Sequence, residues 1–183
     1  MLQTFEVTIE GISPLLVNRF HEESAEEATS GVHARKERLS PEDDARARLY
    51  PMNGHGNTIP AENIRQSIIA ASSRTKIGRR SATSDIAASV YIFPELLDLK
   101  GDWHVDSRAI VIPSTRGRLL RHRPMFNEWK VSFSLQVNVD LVNVATVKKI
   151  VEDAGALVGL GDFRPARKGP YGRFAVTRWG KKA

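Results

Sequence analysis

Residues 3–9 alternate, with Phe5, Val7 and Ile9 on one side and Glu6, Thr8 and Glu10 on the other. This period of two predicts a half-buried strand. Gly11 and Pro14 interrupt it, and Leu15-Leu16-Val17 is read as its continuation. Residues 21–39 are polar, acidic and without apolar period, which predicts a mobile insertion. Ser40-Pro41-Glu42-Asp43-Asp44 reads as a helix start, with Ser as cap, Pro at the first helical position and acids at the positive end. A turn-rich stretch from Pro51 to Gly56 follows. Ile64, Ile68, Ile69 and Ala71 then mark the buried stripe of a helix opening at Pro60. The small, polar, basic segment 72–84 is expected to be a flexible loop. Residues 88–93 and 103–112 read as strands, with an Arg-rich connection from Pro113 to Pro124. Residues 126–139 give the clearest alternation in the chain. Val147, Ile150, Val151, Ala154 and Val158 define a helix over 143–158 with Asn143 as its cap, and 174–179 is the last strand.

Without the insertions the order is strand, helix, two strands, helix, strand. That predicts an α+β fold of ferredoxin-like or RRM-like type, a four-stranded antiparallel sheet with its helices on one face. The chain is read as one domain over 1–183, with insertions at about 21–58 and 72–84.

Composition narrows the function classes. There is no cysteine among the 183 residues, so disulfides, Cys-based zinc sites and thiol catalysis are excluded. The first residues lead directly into a strand pattern and no apolar run reaches membrane length, so a cytoplasmic, membrane-free protein is expected. The formal net charge is +6. Its distribution carries more information than its size. Residues 21–44 are strongly acidic, whereas 108–123 and 164–182 carry basic residues, mostly arginine, and no acid. Arginine's planar fork suits phosphate contact and base stacking.

The stretch from Gly159 to Phe174 is the most specific feature. Gly159, Gly161, Gly169 and Gly172 are read as the residues that shape the loop. Arg164, Arg167, Lys168 and Arg173 surround them as candidate phosphate contacts. Phe163 and Tyr171 either stack on bases or simply pack. A simpler reading is a helix C-cap at Gly159 with a tight loop, which accounts for one glycine better than for four. A P-loop is excluded: no Lys-Ser or Lys-Thr follows the glycines, and the loop runs from helix to strand. Arg116, Arg118, Arg121 and Arg123 form a second basic candidate on a hairpin tip or loop. Arg79 and Arg80 belong to a third, in the segment 72–84.

A glycine-rich loop between the second helix and last strand of a βαββαβ domain resembles the hallmark of the RAMP superfamily, the RNA-binding proteins of CRISPR effector complexes. Gly159-Leu160-Gly161 and Gly169-Pro170-Tyr171-Gly172 resemble that loop's paired glycines. The long insertion after the first strand is similar to that of backbone subunits that coat guide RNA. The chain also resembles a group of uncharacterised phage and prophage proteins through Gly161-Asp162-Phe163-Arg164-Pro165. The resemblance implies a subunit that self-associates along a single strand, RNA rather than DNA, or joins a multisubunit ribonucleoprotein. Contacts would go to phosphate and sugar more than to base edges.

No catalytic residue, metal site or cofactor is predicted. Of the five histidines, His21, His33, His55, His104 and His122, none has metal-ligand spacing to another. His122, among arginines, is the one candidate for acid/base work, which a RAMP-type ribonuclease would need. Asp43-Asp44 is explained by the helix start. The remaining alternative is a phage structural or assembly protein that uses its basic patches for protein contacts.

Overall fold

A computed structural model describes residues 1–19, 39–50, 56–111 and 117–182. The acidic insertion, the turn at 51–55, His21, His33, His55 and Arg116 therefore lie outside the described residues. In chain order the strands are β1 (Leu2–Gly11), β2 (Leu15–Leu16), β3 (Thr58–Pro60), β4 (Lys76–Ile77), β5 (Arg80–Ser81), β6 (Val90–Phe93), β7 (Leu96–Lys100), β8 (Trp103–Val111), β9 (Arg118–Phe126), β10 (Lys130–Asn138) and β11 (Phe174–Lys181). The helices are α1 (Pro41–Ala47), α2 (Ala61–Ser72), α3 (Thr83–Ser89) and α4 (Val144–Asp153), the last continued by a π-helical turn over Ala154–Val158.

The main sheet runs β11-β1-β10-β7-β3, with β6 also paired to β10. All of its pairings are antiparallel. β6 and β7 occupy successive stretches of β10's far edge and together act as one strand broken at Pro94. The core order is thus last strand, first, third, second, which is the ferredoxin-like arrangement expected for the chain. Phe5, Val7 and Ile9 of β1 join Val131, Phe133, Leu135 and Val137 of β10 in one buried cluster. Ile64 and Ile68 of α2 and Val147, Ile150 and Val151 of α4 belong to the same cluster. Each such side chain contributes about 1.5–3 kcal/mol by leaving water. Asn143 caps α4, its side chain accepting from the N–H groups of Ala145 at 2.8 Å and Thr146 at 3.3 Å. Ser40 caps α1 by accepting from the N–H of Asp43.

Three expectations need correction. Segment 72–84 is an ordered β4–β5 hairpin leading into α3, because Ala82 and Ile86 are fully buried and draw the polar stretch onto the core. The described part of the Arg-rich connection, 117–124, is strand from Arg118 on: β9 pairs with all of β8, from Trp103 opposite Phe126 to Val111 opposite Arg118. The alternation over 126–139 also conceals a break. Phe126 ends β9, and β10 starts only at Lys130. Trp129 between them is buried, its indole N–H donating to the Ser13 carbonyl at 2.9 Å. Trp103–Phe126 is therefore a hairpin inserted between the sheet strands. It forms a separate sheet with β2, not part of the main one.

Candidate nucleic-acid interface

The glycine loop leaves the π-helical turn and is fastened to the segment after β1. The Asp162 N–H donates to the Leu16 carbonyl and the Gly172 N–H to the Pro14 carbonyl, both at 2.7 Å. The loop also closes on itself, with the Leu160 N–H donating to the Gly172 carbonyl. Such close backbone approach requires glycine at two positions above all. Gly161 has φ +71°, and a Cβ there would lie 2.4 Å from the Leu16 carbonyl oxygen. Gly172 has φ +68°, and its Cβ would lie 1.8 Å from the Leu160 oxygen. Gly159 and Gly169 stand at the outer turns, against Pro165 and the Phe163 carbonyl.

This anchoring separates the loop's cations by role. Arg164 turns inward, its guanidinium donating to the Gly161 carbonyl at 2.8 Å. Arg167, Lys168 and Arg173 project outward, exposed and without an ion pair among the described residues. Phe163 sits at positive φ (48°), is 44% exposed, and leans on Tyr171 with ring centroids 6.1 Å apart. The Arg108 guanidinium lies 4.9 Å over the Tyr171 ring, a cation–π contact that ties the loop to the hairpin.

Strand alternation divides the hairpin arginines. Asp106, Arg108 and Ile110 on β8 face across to Arg123, Arg121 and Leu119 on β9, so these share one side. That side borders a cleft of about 530 Å³ between the hairpin, the glycine loop and the chain after β2. Arg118 belongs to the opposite side with Leu120, near the outer end. Arg123, expected as a contact residue, lines the cleft while being tied into the fold. It is 7% exposed, pairs with Asp162 at 2.6 Å and faces Asp106 at 3.9 Å. It holds the loop to the hairpin.

The sequence pattern does not reveal three arginines of the cleft. Arg19 follows β2, Arg48 ends α1, and Arg108 lies on β8. Arg48 pairs with Asp44 at 2.8 Å and donates to Asn18 at 3.2 Å, and Asn18 in turn donates to Asp162. The helix-start acid Asp44 thus orients a cleft arginine. Hydrogen bonding to Asp106 raises the Arg108 pKa above its ordinary value, so its charge is secure. Arg108 opens the basic segment 108–123, whereas no local signal marks Arg19 or Arg48, which lie far from it along the chain. Arg79 and Arg80 sit at the exposed β4–β5 turn, where Arg80 pairs with Asp85. His122 bonds through Nδ1 to the Ser107 hydroxyl at 2.7 Å. Among the described residues no cluster of His, Asp or Glu could hold a metal, and no helix is long and apolar enough to cross a membrane.

No protein-family model and no curated protein sequence matches the chain. Among solved structures, a chain from "Cryo-EM structure of the Type III-B Cmr-beta bound to cognate target RNA" superposes with TM-score 0.53 at 11% identity, over 98% of this chain and 60% of that one. A chain from "CRISPR RNA-guided surveillance complex" aligns with TM-score 0.31 at 10% identity, over 93% of this chain and 66% of that one. The chain thus spans about three fifths of the Cmr-beta chain whose fold it shares.

Proposed function

We propose that this protein is a non-catalytic subunit that binds single-stranded nucleic acid, RNA in preference to DNA, within a CRISPR-type ribonucleoprotein assembly. The observation that carries the reading is the cleft, where five arginines converge from four separate parts of the chain beside the exposed cations of the glycine loop. A strand crossing the loop would meet Arg167, Lys168 and Arg173, then the cleft arginines, with Phe163 as a surface for a base. The shared fold with a chain of an RNA-bound Cmr-beta structure supports RNA as the partner. Self-association rests on a second feature: Val111 and Leu120 are 59% and 56% exposed on one face of the hairpin's outer end, an apolar surface for a neighbouring copy.

The test is fluorescence anisotropy of a labelled 30-mer single strand across a salt series. Dissociation constants of micromolar or tighter are expected at low salt. Engagement of roughly four to six phosphates gives a log–log salt slope of about −3 to −4 on a single strand. Binding that is absent or insensitive to salt overturns the reading. The RNA should also emerge uncleaved, and cleavage abolished by His122→Ala would establish a nuclease instead. Light scattering of Leu120→Glu should show smaller assemblies on RNA than the parent protein.

A further inference from the structure

A second concave site, of about 410 Å³, lies between α2, the glycine loop and the chain after β2. It shares two wall residues with the arginine cleft, Asn18 and Asp162, and Asn18 donates to Asp162 at 3.2 Å. The two sites are therefore neighbours across one hydrogen-bonded pair. The walls of the second site are fixed by the fold. Ser67 of α2 is buried, and its hydroxyl donates to the Gly159 carbonyl at 3.0 Å, which clamps helix to loop. The Asp162 N–H fastens the loop in turn to the Leu16 carbonyl.

The lining differs in kind from that of the cleft. Its two charged residues, Arg164 and Asp162, offset each other in charge and are tied into the fold, Arg164 to the Gly161 carbonyl and Asp162 to Arg123. The rest of the described lining is uncharged. Val17, Ile59 and Val158 supply apolar surface. Helical spacing places Asn63, Gln66, Ser67 and Ala70 on one face of α2, and all four line the site. Asn63 and Gln66 bring carboxamides, and each uses one N–H within the protein. Asn63 donates to the Tyr50 hydroxyl at 3.0 Å and Gln66 to Glu62 at 2.6 Å. Among the described residues each amide keeps its oxygen and its second N–H unpaired.

An acceptor and a donor on one planar amide complement the N6–N7 edge of adenine, the pairing through which Asn and Gln read that base in nucleic acids. A concave site with apolar walls, no net charge and a few polar groups suits a heterocycle rather than a phosphate. We infer that this site takes an adenine base of a strand whose phosphates lie along the arginine cleft, with the Asn63 and Gln66 carboxamides as its readers. The link to a strand rests on the strand-binding reading and adds a base preference to it; the affinity for adenine does not depend on that reading.

Anisotropy with labelled 12-mer RNAs of adenosine, uridine or cytidine tests the inference. The adenosine strand is expected to bind about tenfold more tightly than the other two, within the range that one bidentate amide–adenine pair gives. A strand of 7-deazaadenosine, which lacks the N7 acceptor, should lose that advantage. Asn63→Ala with Gln66→Ala should bring the three strands within threefold of one another and leave the uridine affinity and its salt slope unchanged. Gln66 is exposed, so Gln66→Ala alone keeps the fold if the pair does not, and it should cut the adenosine advantage at least threefold. Strands that bind equally well, or an adenosine advantage that survives 7-deazaadenosine or the double variant, overturn the site and leave the strand reading standing. If no strand binds, the strand reading falls and calorimetric titration with free nucleosides decides the site. Adenosine bound at least tenfold more tightly than uridine upholds it, and equal or absent binding overturns it.

Discussion

The open face of the main sheet and the cleft beside it carry the same kinds of charged residue and arrange them in opposite ways. On the sheet the acids of β1 meet their neighbours: Glu6 accepts from Ser134 and pairs with Lys182, Glu10 pairs with Lys130, and Thr8 bonds with Ser132. The face satisfies itself, although Tyr91 and Phe93 stack on it in the open. In the cleft five arginines gather from four parts of the chain, and Asp44, Asp106 and Asp162 pair with Arg48, Arg108 and Arg123. A charged surface completed by its own residues has little to offer an anion. A concave surface that gathers arginines from distant parts of the chain has more. The comparison also explains why total charge says less than its placement.

The largest expected effect breaks the cleft from within. Arg123→Ala would leave Asp162 and the nearly buried Asp106 without the guanidinium that joins them. Removing one partner of a buried pair costs about 3–5 kcal/mol, measured here by urea unfolding. A Glu10→Gln change on the sheet, made alongside, is expected to leave the midpoint nearly unmoved. Equal destabilisation of the two variants would erase the distinction between the regions.

The next effect acts through backbone geometry. Gly172→Ala would force a Cβ into the Leu160 oxygen at a φ of +68°. A destabilisation of about 3 kcal/mol is expected from strain and collision together. Strand binding should fall with it, because the loop could no longer present Arg167, Lys168 and Arg173. Gly180→Ala on β11, where a Cβ would meet nothing, is the control.

How much of this is legible in the sequence follows from the range of the interactions. The β1 and β10 alternations and the α2 and α4 stripes are local, period-governed signals, and they lead directly to the ferredoxin-like fold. The four loop glycines are visible as a composition, and their chain positions carry the resemblance to RAMP proteins. The hairpin is half legible. β8 shows its pattern, whereas β9 is hidden because Arg118, Arg121 and Arg123 look like loop residues until cross-strand pairing with β8 is known. The break before Trp129 leaves only a faint mark: Phe126 is one position out of phase with the apolar series from Trp129 through Val131 to Val137. The cleft is only partly legible: Arg121, Arg123 and Phe163 stand among the sequence candidates, but their meeting with Arg19, Arg48 and Arg108 does not show. Arg19, Arg48, Arg108 and Arg123 are scattered along the chain, and only the fold brings Arg48 through Asn18 to Asp162. The role of Arg123 is hidden for the same reason, since its two carboxylate partners come from β8 and the loop.

A smaller effect separates binding from construction within the loop. Replacing Arg167, Lys168 and Arg173 together by Ala removes three exposed cations that hold no ion pair among the described residues. Stability should change by less than about 0.5 kcal/mol. The salt slope of strand binding should flatten by about 2, at roughly 0.7 for each phosphate no longer neutralised. Affinity in low salt should drop tenfold or more. A slope left unchanged would assign the strand to some other surface, and the open sheet face would be the first to test.

The smallest effect addresses that sheet face. Hydrogen bonding from Ser134 and then from Lys182 holds the Glu6 carboxyl below its ordinary pKa. A carboxyl that is more acidic when folded than when unfolded contributes stability above its unfolded pKa. That contribution disappears as pH falls through the lower, folded value. Glu6 is 40% exposed, so solvent screens the pair and the contribution is that of a surface ion pair, about a few tenths of a kcal/mol. Between pH 6 and pH 3 the parent protein should therefore lose slightly more melting temperature than Glu6→Gln does, by about 1–2 °C. At pH 7 the same variant should bind the 30-mer within twofold of the parent, because Glu6 only completes a face that the strand does not use. Removing this negative charge would instead tighten binding severalfold if nucleic acid lay across the sheet. That single affinity ratio decides between the two surfaces at almost no cost to the fold.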